Sequence, residues 1–228
     1  MNAVGSRTSS ATLHRAAAAT LLLAGLLPAP GCNIVAPVAS LVAGPPKTQA
    51  AHKLDKASTA VIFIDDRASQ APRRSLRNVV ATEAERTLIE KNVLAADQLF
   101  PSAAAARAAQ GESYDAPISI AEVGRRVGAD RVIYVEMTSF SLSRDGVTLS
   151  PSASARVKVI DAATGQRIFP DDAAGYPVTA QLPRGAQAPA SLAARAQVEQ
   201  ALAKALGVQI ARVFFTHERD ALSGRLND

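Results

Sequence analysis

The chain has 228 residues, 48% of them hydrophobic, with 25 basic against 20 acidic side chains and a formal charge of +5. A charge this mild gives no electrostatic footprint for nucleic acid. A single cysteine excludes an intramolecular disulfide.

Taken from the start, Arg7, His14 and Arg15 form a weakly basic leader before the 12-residue apolar run Ala16–Leu27. That run is too short to span a bilayer stably and suits an export signal. Ala29 and Gly31 then place small residues ahead of Cys32. Gly-Cys after such a run resembles the lipobox of bacterial lipoproteins, although Ala29 and Pro30 depart from its usual Leu and Ala/Ser. The resemblance implies a diacylglycerol on the thiol, cleavage before Cys32 and acylation of the new amine, so that several acyl chains hold the protein on a membrane. A buried core thiol fits poorly in a segment this rich in Pro and Gly. A metal site fits no better, since His52 and His217 have no paired spacing. Residues 1–31 are therefore expected to be a lipoprotein signal peptide. Its removal takes Arg7 and Arg15, leaving 23 basic against 20 acidic groups, or +3. Asn33 is not Asp, which by analogy with proteobacterial sorting places the anchor in the outer membrane, facing the periplasm.

Residues 32–58 read as a lipid-anchored tether, with Pro37, Pro45 and Pro46 and no sustained period. Residues 59–217 have the length of one domain, and 218–228 are expected to be a flexible tail. Within the domain, "TAVIFIDDR" predicts a buried strand over Thr59–Ile64. The next segment predicts a helix with Leu76, Val79, Val80, Ala84 and Leu88 on one face and Ser75 as N-cap. A short strand near Val93–Ala96, an Ala-rich helical turn after Pro101 and a loop over Gly111–Pro117 follow. "ISIAEVGRRVGADRVIYVEMTSF" carries the clearest local signal. Ser119 and Glu122 make a capping box, Ile118 and Val123 a hydrophobic staple, and Gly128 a stop. Together they predict a helix over Ile120–Val127 feeding a strand over Arg131–Leu142. In "SASARVKVI" residues Ala153, Ala155, Val157 and Val159 alternate with polar ones, as in a half-buried antiparallel strand. Gly165 turns it into "QRIF", and Tyr176–Leu182 is expected as an edge strand, where Pro177 is tolerated. The last helix follows Pro189, with Val198, Leu202, Leu206, Ile210 and Val213 inward, Arg195, Glu199, Lys204 and Arg212 outward, and Gly207 as a weak point. The order β-α-(β)-α-β-β-β-α predicts an α/β fold, a mixed β-sheet with helices packed mainly on one face.

At this point "IAEVGRRVGADRVIYVEMTSF" is similar to the helix-Gly-Ala-Asp-strand block of a group of exported lipoprotein domains. That group holds the TolB amino-terminal domain, the curli-secretion lipoprotein and the penicillin-binding-protein activator lipoproteins. "RVKVIDAATGQRIF" resembles the group's strand-Asp-x-x-Thr-Gly-strand hairpin. The whole chain also looks like small uncharacterised lipoproteins of planctomycete-type bacteria. The resemblance implies a non-catalytic assembly or interaction module of the cell envelope, with an envelope protein as partner and self-association into an oligomer as an option. It brings no site residue of the activators onto this sequence. No pair of long alternating hairpins like those of the curli pore is present, so an independent pore is not expected. A subunit of an envelope export assembly is a further alternative.

For chemistry, the candidates are Asp65 and Asp66, at the carboxyl end of a predicted strand where α/β proteins place their sites. The pair resembles the acidic pair that holds magnesium in phospho-receiver domains, and clustered carboxylates suit a hard cation. A receiver also needs a later phosphoacceptor Asp, and the strand after it offers Glu136 in mid-run. A small-ligand or metal-binding module using Asp65 and Asp66 is therefore an alternative. Against it stands a structural role, in which the pair caps the next turn or meets Arg67, Arg73 and Arg74. His217 is expected at a helix end beside Glu218 and His52 in the tether, and there is no G-x-S-x-G elbow, phosphate loop or dinucleotide fingerprint. No catalytic residue, cofactor or nucleic-acid partner is expected. Arg73, Arg74 and Arg77 gather at a predicted helix start, an unfavourable place for cations, which marks either a solvated loop or an anionic partner such as a lipid headgroup.

Overall fold

The computed structural model describes residues 46–110 and 118–219. Cys32 and the signal lie outside the described residues, as does the loop expected over Gly111–Pro117. The domain begins at Lys47. Its sheet is built on β2 (Ala60–Asp65), an all-buried run flanked by parallel strands β3 (Leu99–Phe100) and β4 (Arg131–Ser141). Antiparallel β5 (Ser152–Asp161) follows β4, and its far side carries β6 (Arg167–Phe169) and β7 (Tyr176–Gln181). The sheet is mixed, in the order β3-β2-β4-β5-β6, with β7 also paired to β5.

Two long helices, α1 (Ser75–Glu90) and α4 (Leu192–Arg212), cover one face. The period-2 alternation of the strands puts Ile62, Ile133, Val135, Ala155 and Val157 on that side, against Val80, Leu88, Leu202, Leu206 and Ile210. Each of the large, fully buried aliphatics contributes about 1.5–3 kcal/mol relative to exposure. Among the described residues, the other face is covered behind β2, β4 and the Ile160 end of β5. There α2 (Ser102–Ala108) and α3 (Ile120–Val127) bring Ala105 and Val123 against Val61, Phe63, Val132 and Tyr134.

Gly207, expected as a weak point, stands where α4 packs on α1. A Cβ there would fall 2.5 Å from the Val80 carbonyl and 2.8 Å from Glu83 Cβ, so its absence lets α1 and α4 cross closely.

Several local expectations change. Ser75 is the first helical residue rather than the cap: the N-cap is Arg74, and no side chain caps it. The strand expected at Val93–Ala96 is a turn with Val93 and Leu94 buried, and the strand is Leu99–Phe100. A short apolar run signals burial without distinguishing strand from loop. The part of the expected tether from Lys47 onward belongs to the domain. Here β1 (Lys47–Thr48) pairs with β8 (His217–Glu218), and the Ala51 amide donates to the Val213 carbonyl at 2.8 Å. His52 stacks on Phe169 with centroids 4.8 Å apart, and burial lowers its pKa. Glu218, expected in the tail, is part of β8. None of these contacts leaves a hydrophobic period in sequence, because a single stacked ring and a two-residue pairing hold the segment down.

Candidate functional site

The two ends of the β2–β4 pair divide structure from site. At the end where both strands start, Asp130 Oδ2 accepts from the amide and the hydroxyl of Thr59, each at 2.8 Å. Gly128 takes φ +81° to stop α3. Arg131 meets Asp161, whose Oδ1 accepts from the Thr164 amide at 2.8 Å. The Asp-x-x-Thr-Gly turn closes with Gly165 at φ +73°. Both sequence blocks that carried the resemblance therefore close backbone turns. Bonds from Thr59 hold the Asp130 carboxyl below its ordinary pKa, and bonds from Thr164 do the same for Asp161. Arg125 and Arg126 on α3 share the Glu122 carboxylate.

At the opposite end, Asp65 and Asp66 leave β2 on different sides. Asp65 Oδ2 accepts from the Tyr134 hydroxyl at 2.8 Å, on the α2/α3 side, and Oδ1 accepts from the Arg67 amide at 3.1 Å. Burial, then this bond, raise the Tyr134 pKa, so the phenol stays a donor. Asp66 turns to the other side, where its carboxylate accepts from the amides of Gln70 at 2.6 Å and Ala71 at 3.1 Å. The two carboxylates do not converge; both are occupied by protein donors. Among the described residues, no group of three or more His, Cys, Asp or Glu could hold a metal.

Of the three arginines near the start of α1, Arg73 turns away and meets Glu199 Oε2 at 2.8 Å. Glu199, expected to face outward, is only 5% exposed, and Arg195 reaches it at 3.2 Å. Its partner Arg73 is far away in sequence, so helical periodicity alone could not have found it. Arg74 and Arg77 instead line a cleft of about 720 Å³ beside Asp65 and Arg67, with Arg107 of α2 on another wall. The cleft exists because β3 pairs with β2 only across Ala60–Val61, leaving that flank of Ile62–Asp65 without a strand while α1 and α2 rise beside it. Arg107 was not singled out in the sequence; an isolated cation in an Ala-rich helix gives no sign of what it faces. His217, expected at a helix end, is instead in β8, its Nδ1 3.1 Å from the Phe215 carbonyl.

This is an α/β domain with a mixed sheet, two long helices on one face and a basic cleft at the carboxyl end of its central parallel strand. Solved structures to which this chain is similar include the lipoprotein GNA1162 from Neisseria meningitidis, at 12% identity and TM-score 0.38, covering 63% of this chain and 94% of that one. The PelC dodecamer from Paraburkholderia phytofirmans matches at 11% identity and TM-score 0.35, covering 74% and 96%. The LpoB C-terminal domain from Salmonella enterica matches at 17% and 0.28, covering 57% and 84%. No family model matches the sequence, and comparison with curated proteins finds no match. Likeness at this level assigns this chain neither a partner nor an activity.

Proposed function

We propose that the protein is a non-catalytic, lipid-anchored module of the cell envelope that binds another envelope component. The observation that carries this reading is where the polar side chains of the interior are used. Asp65, Asp66, Thr87 and Glu199 are the buried polar residues of the described chain, and each is bonded to a turn, a helix carbonyl, a phenol or an arginine. Among the described residues, no buried side-chain nitrogen or oxygen lacks a partner. Catalytic sites hold poised, perturbed groups facing a substrate; here the buried acids hold the scaffold. The Cys32 anchor, supported by the sequence pattern, raises the effective concentration at the membrane. The outer-membrane location rests on Asn33 in the same way.

The docking surface in this reading is the edge strand β7, paired along its length to β5 with Tyr176, Pro177 and Thr179 exposed. An extended partner segment adds to such an edge through main-chain hydrogen bonds. A photo-crosslinker at Thr179, in cells making the wild-type anchor or Cys32→Ser, tests it. One envelope protein captured from Thr179 and lost in Cys32→Ser is the expected result. Adducts of this chain with itself alone would replace the adaptor by self-assembly, and adducts unchanged in Cys32→Ser would remove the anchor from the reading.

A further inference from the structure

The cleft flanked by α1 and α2 gathers several arginines on facing walls. Arg73, Arg86, Arg125, Arg126, Arg131 and Arg195 each meet a carboxylate. Arg74, Arg77 and Arg107 line the same cleft and have no carboxylate partner among the described residues. Two of the three stand at the start of α1, whose first turn carries no acid. There the helix dipole opposes a cation by about 0.3–1 kcal/mol each, and like charges at this spacing repel. The cleft's own carboxylate offers no relief, because Asp65 is engaged by Tyr134 and by Arg67, whose Nε lies 3.5 Å from it. Three arginines, two of them at a helix start that disfavours cations, therefore share one concavity of about 720 Å³ at the carboxyl end of β2.

We infer that this cleft is a binding site for a phosphoryl group, held by the guanidinium forks of Arg74 and Arg77 from one side and Arg107 from the other. Guanidinium is planar, permanently charged and able to make two parallel hydrogen bonds to one tetrahedral anion. A phosphoryl oxygen cluster answers three such groups at once, which a single carboxylate side chain does not. The space accommodates the anion together with a small polar body, such as a glycerol or a sugar. The phosphoryl group has two sources, a free phosphate compound or the headgroup of an anionic lipid in the membrane that carries the anchor. The inference concerns a ligand of the cleft and stands apart from the partner proposed at β7, so either can fail alone.

The test uses the full-length protein purified from the membrane fraction in an uncharged detergent, titrated calorimetrically at low salt with two probes. Inorganic phosphate represents the free source, and dihexanoyl phosphatidylglycerol, with dihexanoyl phosphatidylcholine as its zwitterionic control, represents the headgroup. Saturable binding of either anionic probe is expected, weakened by about tenfold or more in Arg74→Ala/Arg77→Ala and by rising salt. Preference for the lipid over phosphate assigns the headgroup source, and the reverse assigns the free one. Arg107→Ala, on the separate wall, repeats the measurement if the double variant misfolds, which thermal unfolding would show. No saturation by either anionic probe, equal binding of the phosphatidylcholine control, or saturation unchanged in the folded variants overturns the inference.

Discussion

Where β2 and β4 begin, the acids and the arginine are tied down: Asp130 holds Thr59, Arg131 holds Asp161, and Asp161 holds the turn through Thr164. Where β2 ends, Asp65 and Asp66 are answered in the same way, but Arg74, Arg77 and Arg107 face a cleft with no carboxylate partner among the described residues. The two ends use the same residue types. One end ties its charged groups to backbone and to each other, which fixes the strand register. The other gathers arginines at a cleft, two of them at a helix start that carries no acid. Concentrated frustration of this kind belongs to sites, while satisfied networks belong to scaffolds.

The largest expected effect sharpens the scaffold half of this comparison. Gly124 sits where α3 crosses β4, and a Cβ there would meet Val132 Cγ2 at 2.6 Å and Ala162 Cβ at 2.7 Å. Gly124→Val should destabilise by about 3 kcal/mol through overpacking, well beyond the helix propensity it gains. Urea unfolding would measure it. A loss under about 1 kcal/mol would mean that α3 shifts freely and that this end is less rigid than its bonds suggest.

Next in size is the Tyr134 hydroxyl, which holds Asp65 at the end of β2. Tyr134→Phe leaves Asp65 buried with one donor fewer, at a cost of about 1.5 kcal/mol. Probe binding in the cleft should be retained in the same variant, because Tyr134 supplies nothing to the anion. Equal stability to wild type would show that Arg67 alone satisfies Asp65.

Smaller again is Asp130→Ala, about 1 kcal/mol, since its bonds to Thr59 are at an exposed site. The pH dependence gives it a signature. Bonds from Thr59 depress the Asp130 pKa, and those from Thr164 depress that of Asp161. A carboxyl depressed in the folded state binds fewer protons there than in the unfolded chain. Its stabilisation is therefore complete above the unfolded pKa, near 4, and is lost as pH falls through the lower folded value. Unfolding free energy should decline below about pH 4 in the wild type, and less steeply in Asp130→Asn. Parallel curves for the two proteins would deny Asp130 its share.

How much of this could be read beforehand depends on the range of the interaction. The α3 start at Ser119, whose Oγ accepts from the Glu122 amide at 3.1 Å, and the stop at Gly128 were legible because both act within a few residues. So were the alternation of β5 and the turn at Gly165. The structural role for Asp66, capping the turn after β2, was visible as one of two options. The reach of Arg73 to Glu199, the gathering of Arg77 and Arg107 at one cleft, and the close crossing at Gly207 were not. Each joins residues from separate elements, and no local period or cap records which distant group a long side chain will find. The Ser75 cap failed for a related reason: the chain enters α1 already turning, with Arg74 at φ −56° and ψ −33°, so Ser75 falls inside the helix.

The finest distinction lies between two adjacent arginines. Arg73 and Arg74 precede the same helix and look alike in sequence, yet Arg73 bonds a carboxylate that is 6% exposed, while Arg74 lines the cleft. Removing Arg73 leaves Glu199 buried with only Arg195, so Arg73→Ala should lose about 1 kcal/mol, the remaining partner and the half-exposed arginine limiting the loss. Arg74→Ala should have the opposite sign. It removes a cation from a helix start and a like charge from Arg77, and stability should rise by up to about 0.5 kcal/mol at low ionic strength. Added salt should shrink that gain, since screening relieves the same repulsion in the wild type. Paired unfolding curves of the two variants, at low and high salt, measure the contrast directly. Destabilisation by Arg74→Ala without ligand would make Arg74 a scaffold residue like its neighbour, and the cleft would lose the frustration that distinguishes it from the opposite end of the strands.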